Sequence, residues 1–159
     1  MALTRKTHSA EIEADLEDCI AVITDFESHP RWSTPVLRAS ILACDEQGRG
    51  RIIAFELDAK IRRINYVLEH FYDLPHHISW KLVEGDVAAV SGSYAFEPIG
   101  PGRTRATCTQ VIDVGFWIPG PLRRLLEDQA ITDAVGEFKA EAERRASARR
   151  TAAALTRSS

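Results

Sequence analysis

Between Val36 and Asp113 the sequence contains no helical period, and six strand-like segments follow one another with short reversals. They span residues 36–44, 50–58, 62–72, 77–84, 88–97 and 103–113. Gly48 and Gly50, Leu74-Pro75, Gly85-Asp86 and Gly100-Pro101-Gly102 mark four of the breaks, and the fifth falls near Lys60 without such a signal. Consecutive strands with short links form an antiparallel meander. Such a sheet carries one apolar face and has to bury it, so this run constrains the fold more than any other feature of the chain.

The flanking segments supply the cover. Residues 6–14 alternate, with Ala10, Ile12 and Ala14 against Ser9, Glu11 and Glu13, which predicts a first strand with one wet face. Asp15 stands where an N-cap belongs, and Leu16, Cys19, Ile20, Ile23 and Phe26 recur at helical spacing. That helix has to end before Pro30, leaving room for only a short second helix between Pro30 and Pro35. From Pro119-Gly120-Pro121 onward Leu122, Leu125, Leu126, Ala130, Ala134, Val135, Phe138 and Ala142 make one stripe, predicting a long amphipathic helix to about Arg145. Residues 6–145 thus read as one α+β domain, a seven-stranded curved antiparallel sheet wrapped around a long C-terminal helix. Residues 146–159, rich in Ala, Ser, Thr and Arg, are expected to fray as a disordered tail.

Length and composition set outer bounds. A chain of 159 residues with 45% hydrophobic and 27% charged side chains suits one globular domain. No run approaches the ~20 apolar residues of a membrane helix, and no apolar stretch follows the N-terminal charges, so stable membrane insertion is not expected and the cytoplasm is the expected location. A net charge of −3 speaks against a nucleic-acid partner. Cys19, Cys44 and Cys108 are odd in number, widely spaced and set among apolar residues, which predicts buried, unreactive thiols.

Strand parity assigns the inward face. It carries Ile53, Phe55 and Leu57, then Ile64, Tyr66, Leu68 and His70, then Ile78, Trp80 and Leu82. It continues with Val90, Gly92, Tyr94 and Phe96, and with Ala106, Cys108, Gln110 and Ile112. Tyr66, His70, Tyr94 and Gln110 depart from apolarity, and a polar group on a dry face needs a partner in protein, water or ligand. Opposite them Ala130, Ala134 and Gly136 lie between Leu126 and Phe138, either leaving room for a ligand or allowing close helix–sheet contact. Phe116 and Trp117 serve either as an entrance flap or as packing against the helix start, and Trp32 reads as an anchor of its turn. Arg62 and Arg63 either meet an acidic head group at the mouth or are simply solvated.

Local motifs narrow the group. They begin with Ile12-Glu13-Ala14, Asp25-Phe26-Glu27-Ser28-His29-Pro30-Arg31-Trp32 and Ile78-Ser79-Trp80-Lys81-Leu82-Val83-Glu84-Gly85. Gly92-Ser93-Tyr94-Ala95-Phe96-Glu97-Pro98, Gly102-Arg103-Thr104-Arg105 and Pro119-Gly120-Pro121-Leu122 follow. In this order they resemble the polyketide cyclase/dehydrase group of the START-like (helix-grip, birch-pollen-allergen-like, SRPBCC) superfamily, near coenzyme Q-binding proteins. The resemblance implies an interior cavity more firmly than any chemistry, because the superfamily spans carriers, receptors, cyclases and ribosome-associated proteins.

The expected function is binding of a hydrophobic small molecule (a lipid, isoprenoid or polyketide-like compound) as carrier or sensor. Contacts are expected from Phe55, Tyr66, Leu68, Trp80, Tyr94, Phe96, Gln110, Phe116, Trp117, Ala130, Ala134 and Phe138. An aromatase/cyclase using the same cavity is the alternative, with Tyr66, His70, Tyr94 and Gln110 as candidate catalytic groups, and a protein partner is the second alternative. No metal or cofactor is expected. The adjacent His76-His77 pair follows Pro75 and reads as a water-exposed loop pair, since neighbouring strand residues point to opposite faces, and neither a Gly-x-Ser-x-Gly motif nor a phosphate loop occurs.

Overall fold

The computed structural model describes residues 4–158 and shows β1 (Lys6–Ile12), α1 (Leu16–Thr24), a 3-10 turn (Phe26–Ser28) and α2 (His29–Trp32). The chain continues through β2 (Val36–Cys44), β3 (Gly50–Asp58), β4 (Arg63–Asp73), β5 (His77–Gly85), β6 (Ala89–Gly100), β7 (Arg103–Asp113) and α3 (Gly120–Arg157). The strands form one seven-stranded antiparallel sheet in the order β1-β7-β6-β5-β4-β3-β2. The unsignalled break near Lys60 is present: Lys60 takes φ +68 between β3 and β4.

Helix α3 packs chiefly against β1, α1, β7 and α2. Its place beside β1 is fixed by polar contacts to an edge strand whose backbone would otherwise lie open. Lys6 pairs with Asp128 at 2.8 Å, Lys139 Nζ donates to the Glu11 carbonyl at 2.8 Å, and the Glu13 amide donates to Glu143 at 2.9 Å. The helix does not end at Arg145. It runs to Arg157, with Ala146 buried, Arg149 paired with Asp18 at 2.8 Å and Arg150 donating to the Glu13 carbonyl at 2.9 Å. Ala and Arg are strong helix formers, so loss of the apolar stripe after Arg145 did not mean loss of helix. Cys44 is exposed, unlike the buried Cys19 and Cys108, because it ends the edge strand β2.

Two apolar clusters result. One gathers Ile12, Cys19, Val22, Ile78, Tyr94, Phe96, Ala106 and Cys108 under Ile131, Val135, Phe138 and Ala142 of α3. The other joins Ile53, Phe55, Ile64, Leu68 and Val90 to Phe26 of the 3-10 turn, and Trp80 packs against both. Glycine makes two of these contacts feasible. A Cβ at Gly92 would lie 2.6 Å from the Trp80 ring and 2.8 Å from the Thr109 carbonyl, and one at Gly50 would lie 2.9 Å from the Phe26 ring. Gly136, by contrast, faces open space.

These two settings predict opposite effects of the same change. Gly92→Ala should lose about 1–3 kcal/mol by overpacking, whereas Gly136→Ala should gain about 0.5–1 kcal/mol from helix propensity. Urea denaturation midpoints of the two variants check both signs.

Candidate functional site

The inward parity read from the sequence holds on every central strand. Cross-strand register aligns His70 with Trp80, Trp80 with Gly92 and Gly92 with Gln110, so one row crosses β4, β5, β6 and β7. Because Gly92 has no side chain, the Trp80 indole lies across it. The row therefore joins the half of the sheet under α3 to the half under the 3-10 turn.

Seven aromatic rings close a circuit around this row. His29 lies 4.8 Å from Trp32 between ring centroids, Trp32 6.2 Å from Phe138, and Phe138 5.0 Å from Tyr94. Tyr94 lies 6.0 Å from Trp80, Trp80 6.1 Å from His70, His70 4.7 Å from Phe26, and Phe26 5.4 Å from His29. Phe55 touches both histidines, at 6.3 and 6.4 Å, and continues to Tyr66 at 5.8 Å. Each such pair adds about 0.5–1.5 kcal/mol to simple burial, so the circuit is a rigid wall rather than loose filling.

Two nitrogens in this wall are buried without a hydrogen-bond partner, Trp32 Nε1 and His70 Nδ1. An unpaired buried donor or acceptor costs about 1–3 kcal/mol, so both are sites where an incoming polar atom would be favoured. His29 is satisfied, its Nε2 lying 3.1 Å from the Ile23 carbonyl. Burial pushes both imidazoles down to about 4, with His29 adding repulsion to His70 and the Leu68 backbone opposing it in part. Burial pushes the Tyr66 and Tyr94 phenols well above their ordinary value, and the Cys19 and Cys108 thiols up to about 11 and about 12. At neutral pH the interior therefore presents uncharged donors and acceptors.

The structure brings together Phe55, Tyr66, Leu68, His70, Trp80, Tyr94, Phe96 and Phe138. Gln110 shares the inward row, half-buried beside Gly92. Ala134 is half-buried on α3, whereas Ala130 faces solvent and Trp117 is 79% exposed. Phe116 lies half-buried beneath the Arg62 guanidinium, 5.1 Å from its ring. Sequence reasoning missed His29 and placed Phe26 on the first helix. Phe26, His29 and Trp32 stand three residues apart across the 3-10 turn and α2, a spacing that puts them on one face and was the available signal.

Beyond α3 the concave face stays partly uncovered. Leu57, Tyr66, Leu82, Ile112 and Val114 join the second cluster yet remain half-buried. Two grooves lie elsewhere. One of about 580 Å³ opens chiefly on the outer face of the sheet along Arg38, Ala54, Glu56, Asn65 and Val67, and one of about 410 Å³ lies among Asp25, Arg31, Trp32, Glu141, Arg144 and Arg145.

A seven-stranded sheet curved against a long C-terminal helix, with an aromatic inner face, defines a helix-grip domain. The chain belongs to the family of polyketide cyclase/dehydrase and lipid transport proteins, whose profile matches residues 4–155. Solved structures agree in fold. A START superfamily protein from Mycobacterium smegmatis superposes with a TM-score of 0.82 at 19% identity, over 90% of this chain and 99% of that one. The Zhui aromatase/cyclase from a Streptomyces species gives 0.78 at 17% identity, over 91% of this chain and 96% of that one. The di-domain ARO/CYC StfQ of the steffimycin biosynthetic pathway gives 0.68 at 14% identity, over 88% of this chain and 45% of that one. No curated protein matches the sequence.

The buried histidines carry a pH signature. Between about 6.5 and about 4 the unfolded chain takes up protons at His29 and His70 while the folded chain does not. Their contribution is therefore complete above pH 6.5 and is lost as pH falls toward 4, about 3 kcal/mol for each histidine. Glu141, held down to about 2 by Arg144, loses its contribution only at lower pH, so the windows separate. His70→Phe should roughly halve the loss of stability between pH 6.5 and 4.5, read from urea midpoints at the two pH values.

Proposed function

We propose that the protein binds a hydrophobic small molecule of the lipid, isoprenoid or polyketide-like class between the sheet and α3, as a carrier or sensor. The observation that carries this reading is the uncovered half of the concave face. There Leu57, Tyr66, Leu82, Ile112 and Val114 lead inward to an aromatic wall that keeps two unpartnered nitrogens. A ligand burying about 300 Å² of apolar surface there gains about 7–8 kcal/mol before association costs, so apolar contact alone gives roughly micromolar affinity or weaker. Trp32 Nε1 and His70 Nδ1 then favour a ligand with one or two carbonyl or hydroxyl oxygens. The family's profile and the START-like fold support the same class of ligand. We place this activity in the cytoplasm, in keeping with three cysteines that form no disulfide.

An aromatase/cyclase reaction in the same interior is the second reading, favoured by the neutral His70 imidazole, whose Nδ1 is unpaired, near Trp80 and Phe55. Carrier work is the better fit. A base held at about 4 is poorly matched to proton abstraction near neutrality, and the Tyr66 and Tyr94 phenols are shifted too far upward to serve as bases.

Titration with a fluorescent fatty acid tests the binding reading. One molecule should bind per chain with micromolar Kd, and Leu82→Trp or Ile112→Trp should weaken it at least tenfold without lowering Tm by more than a few degrees. Absence of saturable binding, or binding indifferent to both substitutions, overturns it. Turnover of a poly-ketone that Tyr66→Phe abolishes would replace carrier by cyclase.

A further inference from the structure

The inward row of β4 runs from Ile64 through Tyr66 and Leu68 to His70. Tyr66 stands half-buried where the sheet is uncovered, and its hydroxyl forms no hydrogen bond among the described residues. His70 lies four residues further in, about 13 Å along the strand at about 3.3 Å per residue. It is only 6% exposed, and its Nδ1 has no partner. The track from the opening inward is thus apolar at Leu68 and ends on an unsatisfied nitrogen.

The surroundings of that nitrogen restrict what can pair with it. Its neighbours are flat rings, Phe26 at 4.7 Å, Trp80 at 6.1 Å and Phe55 at 6.4 Å between centroids. His29, the other imidazole of the wall, is already engaged with the Ile23 carbonyl. A water at Nδ1 needs two to four polar partners, and rings supply few. A hydroxyl on an apolar chain needs only one, because burial of the chain holds it in place. The hydroxyl also fits either tautomer of a neutral imidazole, donating to a bare nitrogen or accepting from an N–H, whereas a ketone can only accept. An amine arrives protonated and a carboxylate ionised, and either is costly in a wall without charge.

We propose that the ligand is an amphipathic chain hydroxylated at its buried end, with His70 as the residue that selects the hydroxyl. The chemical class is that of long ω-hydroxy acids and long-chain diols, with the other polar end outside the opening beyond Tyr66. The distance from Tyr66 to His70 sets a lower limit on chain length, so a short hydroxy acid cannot keep its head in solvent and still reach the nitrogen. This rests on the interior ligand reading and narrows it from apolar guests in general to chains with an oxygen at the far end.

Calorimetric titration of the full chain with dodecanoic acid and with ω-hydroxydodecanoic acid tests it. The hydroxylated chain should bind about tenfold tighter or more, the effect of pairing a buried polar group that otherwise has no partner. His70→Phe keeps a flat ring and removes the nitrogen, so the preference should vanish or reverse while the plain chain still binds. The short ω-hydroxyhexanoic acid should show no advantage over hexanoic acid. In the unaltered protein with isotope-labelled histidine, the His70 Nδ1 resonance should move much further with ω-hydroxydodecanoic acid than with dodecanoic acid. Equal or weaker binding of the hydroxylated chain, a preference that survives His70→Phe, or a His70 resonance that does not distinguish the two chains overturns the proposal and leaves the ligand reading standing. Saturable binding of neither chain overturns both.

Discussion

The one-sided apolarity of the sheet governs the rest of this structure. Seven antiparallel strands present a single inner face wider than one helix covers, and α3 is held to one side of it by polar contacts along β1. The remaining face has to be closed by something shorter, and the 3-10 turn with α2 does so by inserting Phe26, His29 and Trp32. Helix and turn meet at Glu141, which accepts from Arg144 and Arg145 at 2.7 Å each, while Arg145 reaches Ser28 at 3.0 Å and Asp25 at 3.2 Å. Arg144 clasps the nearly buried Glu141 carboxylate bidentately within α3, and Arg145, held by the same carboxylate, makes the contacts that tie the two covers together.

The seam between the two covers is also where the polar interior groups lie. A turn of three residues and a single-turn helix cannot bury large aliphatic side chains as a long helix does, so their contacts are made by flat rings. Rings bring nitrogen atoms with them. The Ile23 carbonyl reaches His29, but Trp32 Nε1 and His70 Nδ1 have no partner in hydrogen-bond geometry, and the polarity of the inner wall is thus a consequence of how the sheet is closed.

How much of this was legible follows from the same geometry. Alternation with period two is local, so the inward sets on β3 to β7 could be read directly, and with them Phe55, Tyr66, His70, Trp80 and Tyr94. The length of α3 was not, since the stretch just past Arg145 is tied down by Arg149 to Asp15 and Asp18, residues distant in sequence. Nor was the orientation of Ala130 and Gly136, because the helix covers only one half of the sheet and turns those positions to solvent. His29 escaped notice because Pro30 next to it marks a helix boundary, and a three-residue spacing across a turn has no periodic neighbour to support it.

The distribution of charge completes the argument about what the interior can accept. With both imidazoles neutral and both inner phenols protonated near pH 7, the wall holds no formal charge, and a carboxylate or phosphate drawn into it would lose several kcal/mol of solvation without a counter-ion. A ligand with a charged head therefore has to enter tail first and leave the head at the uncovered end. Arg62 lies at that end against Phe116, where Asp58 and Asp86 accept from the backbone amides of Lys60 and Asn65. An amphipathic guest would thus lie with its apolar part inward and its head left in solvent.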